Sequence, residues 1–314
     1  MTTPDLRAEG RMVEEPAPSP AAPPPRTPRR KRRFFGSTFG FLFKTALILV
    51  VAVGLARGVA AFALYRSASA ELPDYRWLAD YQPPQLSRIY SADSRLMAEL
   101  AQERRVFVPV EAIPLRIQQA FIAAEDQRFW THHGVDPIGI ARTAITNFEQ
   151  MGSGRRMGGA STITQQVAKN MLVGADRTLM RKVREAILAF RIEQAMPKAR
   201  ILEIYLNEIF LGSQAYGVAA AAQNYFNKSL DELTLAESAF LAALPKAPNN
   251  YNPVRFPEAA KARRDWVLGR MAEDGYITRA EANAAIAEPI VPRPTRRPDM
   301  VAVGGHFTEE VRRE

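Results

Sequence analysis

The sequence predicts a mainly α-helical protein, entered through a single transmembrane helix and a short β-containing stalk. Three observations carry that expectation. Between Ile113 and about Ala287, apolar residues recur at helical spacing almost without interruption, broken only by Gly and Pro loops. From Phe39 to Tyr65 the run FGFLFKTALILVVAVGLARGVAAFALY is long enough to cross a hydrocarbon core of roughly 30 Å. Between Leu72 and Pro109 the short alternating segments LSRIYSADSRLMAEL and RRVFVPV read as two or three strands, with a turn at Ala92-Asp93-Ser94.

Taken in order, residues 1–38 are a disordered tail rich in Pro and Ala, which cannot bury enough apolar surface to fold. The tail carries the basic cluster Arg29, Arg30, Lys31, Arg32, Arg33. The chain has 42 Lys and Arg against 33 Asp and Glu, a net charge of +9, and residues 1–33 alone hold eight basic against four acidic residues. Its basicity therefore points to membrane topology, and no nucleic-acid partner is expected. A basic cluster before the span predicts a cytoplasmic N-terminus and an exported remainder. The anchor is placed at 39–65, with Lys44 and Arg57 snorkelling to an interface. Ser67-Ala68-Ser69-Ala70 resembles a signal cleavage site, but the leader is too long and its apolar region exceeds a signal core, so the anchor is read as uncleaved. The absence of cysteine excludes disulfides and thiolate metal sites. Residues 66–112 form the stalk, 113–256 the main domain, and 257–314 a helical segment with a Pro/Arg-rich linker (PIVPRPTRRP).

The chemistry gathers first at 117–134, IQQAFIAAEDQRFWTHHG. Ile117, Phe121 and Ala124 mark a buried helical face, and Glu125 and Asp126 fall at the helix C-terminus, where the dipole disfavours carboxylates. With Phe129, His132 and Gly134 following, this is the pattern of a carboxylate at the mouth of a cleft, its pKa raised towards that of a general base. Next, GSGRRMGGASTITQQVAKN (152–170) is a Gly/Arg-rich loop entering a helix with Ser161 as N-cap. Thr162, Gln166 and Lys169 share one polar face there, a grip for an anionic, hydroxylated ligand, while Ile163, Val167 and Met171 form the apolar face. The following helix is expected to bury Leu179, Val183, Ile187 and Phe190, with Arg181, Lys182 and Glu185 on the shoulder of that stripe. Two carboxylates in different environments, Glu125 and Glu185, suit group transfer between sugars. Glu203 and Asn207 support the polar cluster from the next helix, which breaks at Gly212 and Gly217, and Lys246 sits in a loop beside the cleft.

Five ordered stretches resemble the motifs of the family 51 glycosyltransferases, the peptidoglycan glycosyltransferases of class A penicillin-binding proteins and monofunctional murein polymerases. They are EDQRFWTHHG (125–134), GGASTITQQVAKN (158–170), RKVREAILAFRIE (181–193), ILEIYLNEIFLGSQAYGVAAAAQNYF (201–226) and LAESAFLAALPKAPNNYNP (235–253). The resemblance implies a lysozyme-like glycosyltransferase domain with a membrane-proximal jaw lobe in the bacterial inner membrane, facing the periplasm. It implies polymerisation of lipid II into β-1,4 glycan strands, with inversion and release of undecaprenyl pyrophosphate. Carried over to this chain, Glu125 is the general base, Arg181 and Lys182 neutralise the leaving pyrophosphate, and Glu185 positions the donor phosphate directly or through a divalent cation. Asp126, Phe129 and His132 shape the cleft, and Thr162, Gln166 and Lys169 hold donor phosphate and sugar. No cofactor is required, and the one metal the resemblance leaves room for is Mg2+ or Mn2+ beside Glu185. The implied partners are lipid II, the nascent glycan strand, the membrane and cell-wall synthesis regulators.

No Ser-x-x-Lys and no Lys-Thr-Gly occurs in these 314 residues, so no transpeptidase site is expected within them. The segment after Pro257 nevertheless resembles the lead into a second domain, which suggests the N-terminal part of a bifunctional synthase. A monofunctional polymerase, an inactive membrane-anchored scaffold and a lytic peptidoglycan-cleaving enzyme are the alternatives. The last would not need the basic pair at 181 and 182.

Overall fold

A computed structural model describes residues 35–70, 72–81, 87–90, 96–100, 104–151, 159–174 and 178–293. The tail with its basic cluster, the turn at 92–94, the Gly/Arg loop 152–158 and residues 294–314 lie outside the described residues. By its internal contacts the chain divides into Met1–Ala60 and Ala61–Glu314.

Helix α1 (Phe35–Ala70) is longer than the 39–65 anchor read from the sequence. Its segment Gly40–Ala70 is the one helix among the described residues long and apolar enough to cross a membrane. At 1.5 Å per residue those residues reach roughly 46 Å, beyond the apolar thickness of a bilayer. Phe41, Leu42, Ile48, Leu49 and Phe62 lie exposed on it.

The larger unit is helical with two short ribbons. Strands β1 (Ser87–Tyr90) and β2 (Leu96–Leu100) pair antiparallel with a bulge at Ile89/Tyr90, so the hairpin expected there forms. Strand β3 (Arg104–Arg105) pairs in parallel with β4 (Ala215–Tyr216). Helices follow at α2 (Leu115–Glu125), α3 (Pro137–Glu149), α4 (Ile163–Ala168), α5 (Leu179–Ala195) and α6 (Lys198–Glu208). After the Gly212 and Gly217 break come α7 (Val218–Phe226), α8 (Leu235–Ala243), α9 (Pro257–Glu273) and α10 (Arg279–Ala287).

The core forms where α2, α8 and α9 meet and where α4 packs on α5 and α6. Phe121 meets Tyr205 edge-on at 6.2 Å, and Phe240 takes Tyr225 and Phe226 at 5.5 and 5.7 Å. The Ala219–Ala222 run is buried, as close helix approach requires. Helix α3 is the exception: none of its residues is buried, and Ile138, Ile140, Ile145 and Phe148 are exposed.

The segment leading into α2 is bonded to α6. The Asn207 amide accepts from Val108 N and donates to Val108 O, both at 2.8 Å, and Val110 N donates to Glu203 Oε2 at 2.8 Å. These two α6 side chains thus hold the 108–110 backbone, not the polar cluster the sequence suggested they orient.

The turn after α2 runs tightly against α5 through Gly134. Its φ is +80°, and a Cβ there would lie 2.6 Å from Ala189 C and Phe190 N of the α5 backbone. Left-handed strain and overpacking together should make Gly134→Ala cost about 3 kcal/mol. Thermal unfolding of the purified chain should then show a Tm lowered by roughly 6–12 °C. An unchanged Tm would mean the turn and α5 do not approach this closely.

Candidate active site

The site is built on the wrong end of a helix. Glu125 closes α2 and Asp126 is its C-cap residue, so both acids sit at the negative pole of the dipole. Asp126 is held by hydrogen bonds: its Oδ2 accepts Ile163 N of α4 at 2.9 Å, and His132 Nε2 lies 2.8 and 3.0 Å from its two oxygens. Glu125 accepts a bond from Gln166 Nε2 at 2.8 Å. Both acids line a cavity of about 210 Å³ with Arg142, Ser161, Thr162 and Trp266.

Burial pushes the Glu125 pKa up. The Gln166 bond and the charges of Arg263 and Lys246 pull it down, and the charge of Asp126 pushes it up again; the balance is a raised value. Gln166 is itself oriented, since Tyr205 Oη donates to its Oε1 at 3.4 Å. Burial, reinforced by the charges of Glu125 and Asp126, holds the Tyr205 hydroxyl well above its ordinary pKa, so it stays a donor.

A second cavity of about 620 Å³ shares Arg142, Thr143 and Trp266 with the first and adds Lys246, Tyr251 and Arg263. Arg263 stacks on the Trp266 ring at 3.7 Å. Burial lowers the pKa of Lys246 and of Arg263, and the neighbouring positive charge of Arg263 lowers Lys246 further. Cations crowded in this way favour an anionic ligand.

On α5, Glu185 is fully buried and both its oxygens are taken by basic side chains of its own helix. Arg181 NH1 bonds Oε1, and Lys182 Nζ lies 2.5 Å from Oε2. Lys182 also donates to Ser161 Oγ at 3.0 Å, which carries its charge to the wall of the Glu125 cavity. Thr178 caps this helix by accepting Arg181 N. The expected apolar stripe is corrected here. Glu185, Leu188, Ala189 and Ile192 face inward, whereas Leu179 and Phe190 are exposed and Val183 and Ile187 half-buried. A carboxylate neutralised by two cations can be buried, and the apolar residues are displaced outward.

The donor set does not suit a divalent cation at Glu185. Its two oxygens already face an ammonium and a guanidinium, which would repel a metal, and no cluster of three metal-ligating side chains occurs among the described residues.

The N-cap of α4 is Thr162, not Ser161. Thr162 Oγ1 accepts Gln165 N at 3.1 Å, and the Gln165 side chain returns the bond to Thr162 N. The same hydroxyl donates to Gly134 O at 2.6 Å, so it is committed inside the protein and ties α4 to the turn after α2. Ser161 is left free to meet Lys182. His132 is buried behind Asp126, and Phe129 is fully buried, meeting the His132 ring edge-on at 6.3 Å; both back the cleft without lining it. Lys169 closes α4 as its C-cap residue, its N–H still bonded to Gln165 O, and the π turn Lys169–Val173 begins there; its side chain lines another cavity of about 420 Å³ with Glu208 and Tyr216. Sequence reasoning passed over Tyr205, Arg142, Arg263 and Trp266. Only Tyr205 left a signal, as a Tyr at a buried helical position that needs a partner for its hydroxyl.

The protein family described as Transglycosylase matches residues 93–272. Penicillin-binding protein 1A of Rickettsia felis is 51% identical over 273 residues, covering 87% of this chain and 34% of that protein. Penicillin-binding protein 1A of Escherichia coli is 45% identical over 271 residues, covering 86% of this chain and 31% of that protein. This chain therefore spans about a third of the length of the curated relatives it matches. The solved structure of penicillin-binding protein 1A from Haemophilus influenzae is similar at 31% identity with a TM-score of 0.43, over 74% of this chain and 24% of that one.

Proposed function

We propose, from the premise that the chain belongs to the transglycosylase family, that it polymerises lipid II into β-1,4 glycan strands by inverting transfer. The acceptor 4-hydroxyl oxygen attacks the anomeric carbon of the donor and its proton passes to Glu125. The bond from that carbon to the diphosphate breaks, and the diphosphate leaves with the electron pair as undecaprenyl pyrophosphate.

The observation that carries this reading is the position of Glu125: a carboxylate of raised pKa on a cavity wall that a second, cationic centre also reaches through Ser161. A base needs a proton affinity near the working pH, and a diphosphate leaving group needs positive charge more than it needs a proton. Lys182 and Arg181 supply that charge, and Glu185 fixes them. Arg142, Lys246 and Arg263 supply a second basic pole on the acceptor side, fitting a reaction that joins two anions. Gln166 orients the base.

The substrate's polyprenyl tail favours an enzyme held at a bilayer. Helix α1 suits an anchor, and the basic cluster ahead of it supports a cytoplasmic N-terminus with the catalytic domain in the periplasm. The exposed apolar residues of α3, with Leu179 and Phe190 of α5, favour contact with the membrane surface. Further domains and regulators of the whole protein belong to the same proposal.

The test is incubation of the full chain in detergent with purified lipid II, with and without moenomycin, followed by gel separation of products. A ladder of glycan strands suppressed by moenomycin is expected. A folded chain that yields no polymer would overturn the reading.

A further inference from the structure

Behind the acids lies a chain of ionisable groups that the reaction above does not use. His132, Asp126 and Glu193 have side chains at most 5% exposed, and Lys198 reaches in from the start of α6 at 18%. Lys198 Nζ lies 2.6 Å from Glu193 Oε1 and 3.3 Å from His132 Nδ1, and sits 4.5 Å over the Phe129 ring. Thr164 Oγ1 donates to the same Glu193 oxygen at 2.5 Å. His132 Nδ1 is 3.7 Å from Glu193, too far for a hydrogen bond.

An ammonium can only donate, so the nitrogen it faces at 3.3 Å must accept. The single ring proton of His132 is then on Nε2, directed at Asp126. We propose that Lys198 is a positioning residue: with Glu193 it holds His132 as the neutral Nε2–H tautomer, so that Asp126 remains an uncompensated carboxylate beside Glu125. This rests on the reading of Glu125 as the base and extends it to what sets that base. A neutral imidazole fixes Asp126 without cancelling its charge, and that charge adds to burial, the larger cause, in raising the Glu125 pKa. An imidazolium would cancel it.

Removing the ammonium should reverse the arrangement. The charged groups facing His132 are Asp126, Glu193 and Lys198. With Lys198→Met, Glu193 becomes a buried carboxylate without its cation, 3.7 Å from Nδ1, and draws a proton onto that nitrogen. His132 turns into an imidazolium, Asp126 is compensated, and Glu125 becomes a weaker base.

The experiment uses the full chain in detergent, with 15N-labelled histidine. The sequence holds three histidines, His132, His133 and His306, and single His→Gln variants assign their ring signals. At neutral pH the wild type should show one protonated and one bare nitrogen on His132, and Lys198→Met two protonated nitrogens. In lipid II turnover the acid limb of the kcat–pH profile should shift to lower pH in Lys198→Met. Lys198→Met combined with Glu193→Gln should restore both the singly protonated ring and the wild-type limb. A doubly protonated His132 in the wild type, or an Nδ1–H tautomer, overturns the proposal. A loss of turnover with ring state and acid limb unmoved overturns it too, by reducing Lys198 to a structural cation. The ring signals need no substrate, so they stand or fall apart from the proposed reaction.

Discussion

Glu125→Gln is expected to lower glycan synthesis from lipid II by roughly 10²- to 10⁴-fold, the range a general base supplies. The amide keeps the shape of the side chain and can still bond Gln166, so the loss should fall on kcat with the fold intact. The same substitution carries a second signature of opposite sign. Burial raises the Glu125 pKa in the folded protein, so folding favours the protonated acid. The wild type then loses stability as pH rises from the unfolded value of this carboxyl through its folded value. An amide has no proton to lose, so above that window the variant should melt higher than the wild type, and in more acidic solution the gap should close. A variant that is inactive yet more stable is what a strained functional acid produces. Near-normal polymer from it would mean that another group takes the proton.

Lys182→Ala is expected to lower kcat by roughly 10²- to 10³-fold, the loss that follows removal of one charge-stabilising donor. Its side chain is 46% exposed while that of Glu185 is fully buried, so the ammonium has one end on the protein and the other towards solvent. Glu185 keeps Arg181 on Oε1, but its buried Oε2 loses the Lys182 ammonium, so a stability cost of about 1–3 kcal/mol should accompany the loss of turnover. Turnover and thermal unfolding measured on the same preparation decide the matter. A large fall in Tm with normal specific activity of the folded fraction would make Lys182 a structural cation.

What could be read in the sequence, and what could not, divides along a physical line. The acids at 125 and 126 were legible because carboxylates at a helix C-terminus oppose the dipole and need an explanation. The buried face of α2 followed from apolar spacing, with Ile117 and Phe121 in the core. On α5 the same method chose the wrong face, because spacing scores Glu185 as polar and cannot see Arg181 and Lys182 neutralising it. The N-cap was misplaced by one residue although Thr162-x-x-Gln165 carried the capping-box spacing. The π turn at 169–173 had no signal in the sequence. Arg142, Arg263 and Trp266 come from helices far apart in the chain and converge only through packing. His132 was visible as a site residue, but the ammonium and carboxylate behind it arrive from α5 and α6.

The bonds from Asn207 and Glu203 to the backbone at 108–110 bear on where the folded unit begins. Trimmed back to Ile113, a recombinant version would keep a buried amide and one buried carboxylate oxygen stripped of their mates. Each vacancy costs about 1–3 kcal/mol, against a total margin of roughly 5–15 kcal/mol for an ordinary domain. Residues 108–110 are thus part of the folded unit, and an excised piece has to carry them along to keep its shape.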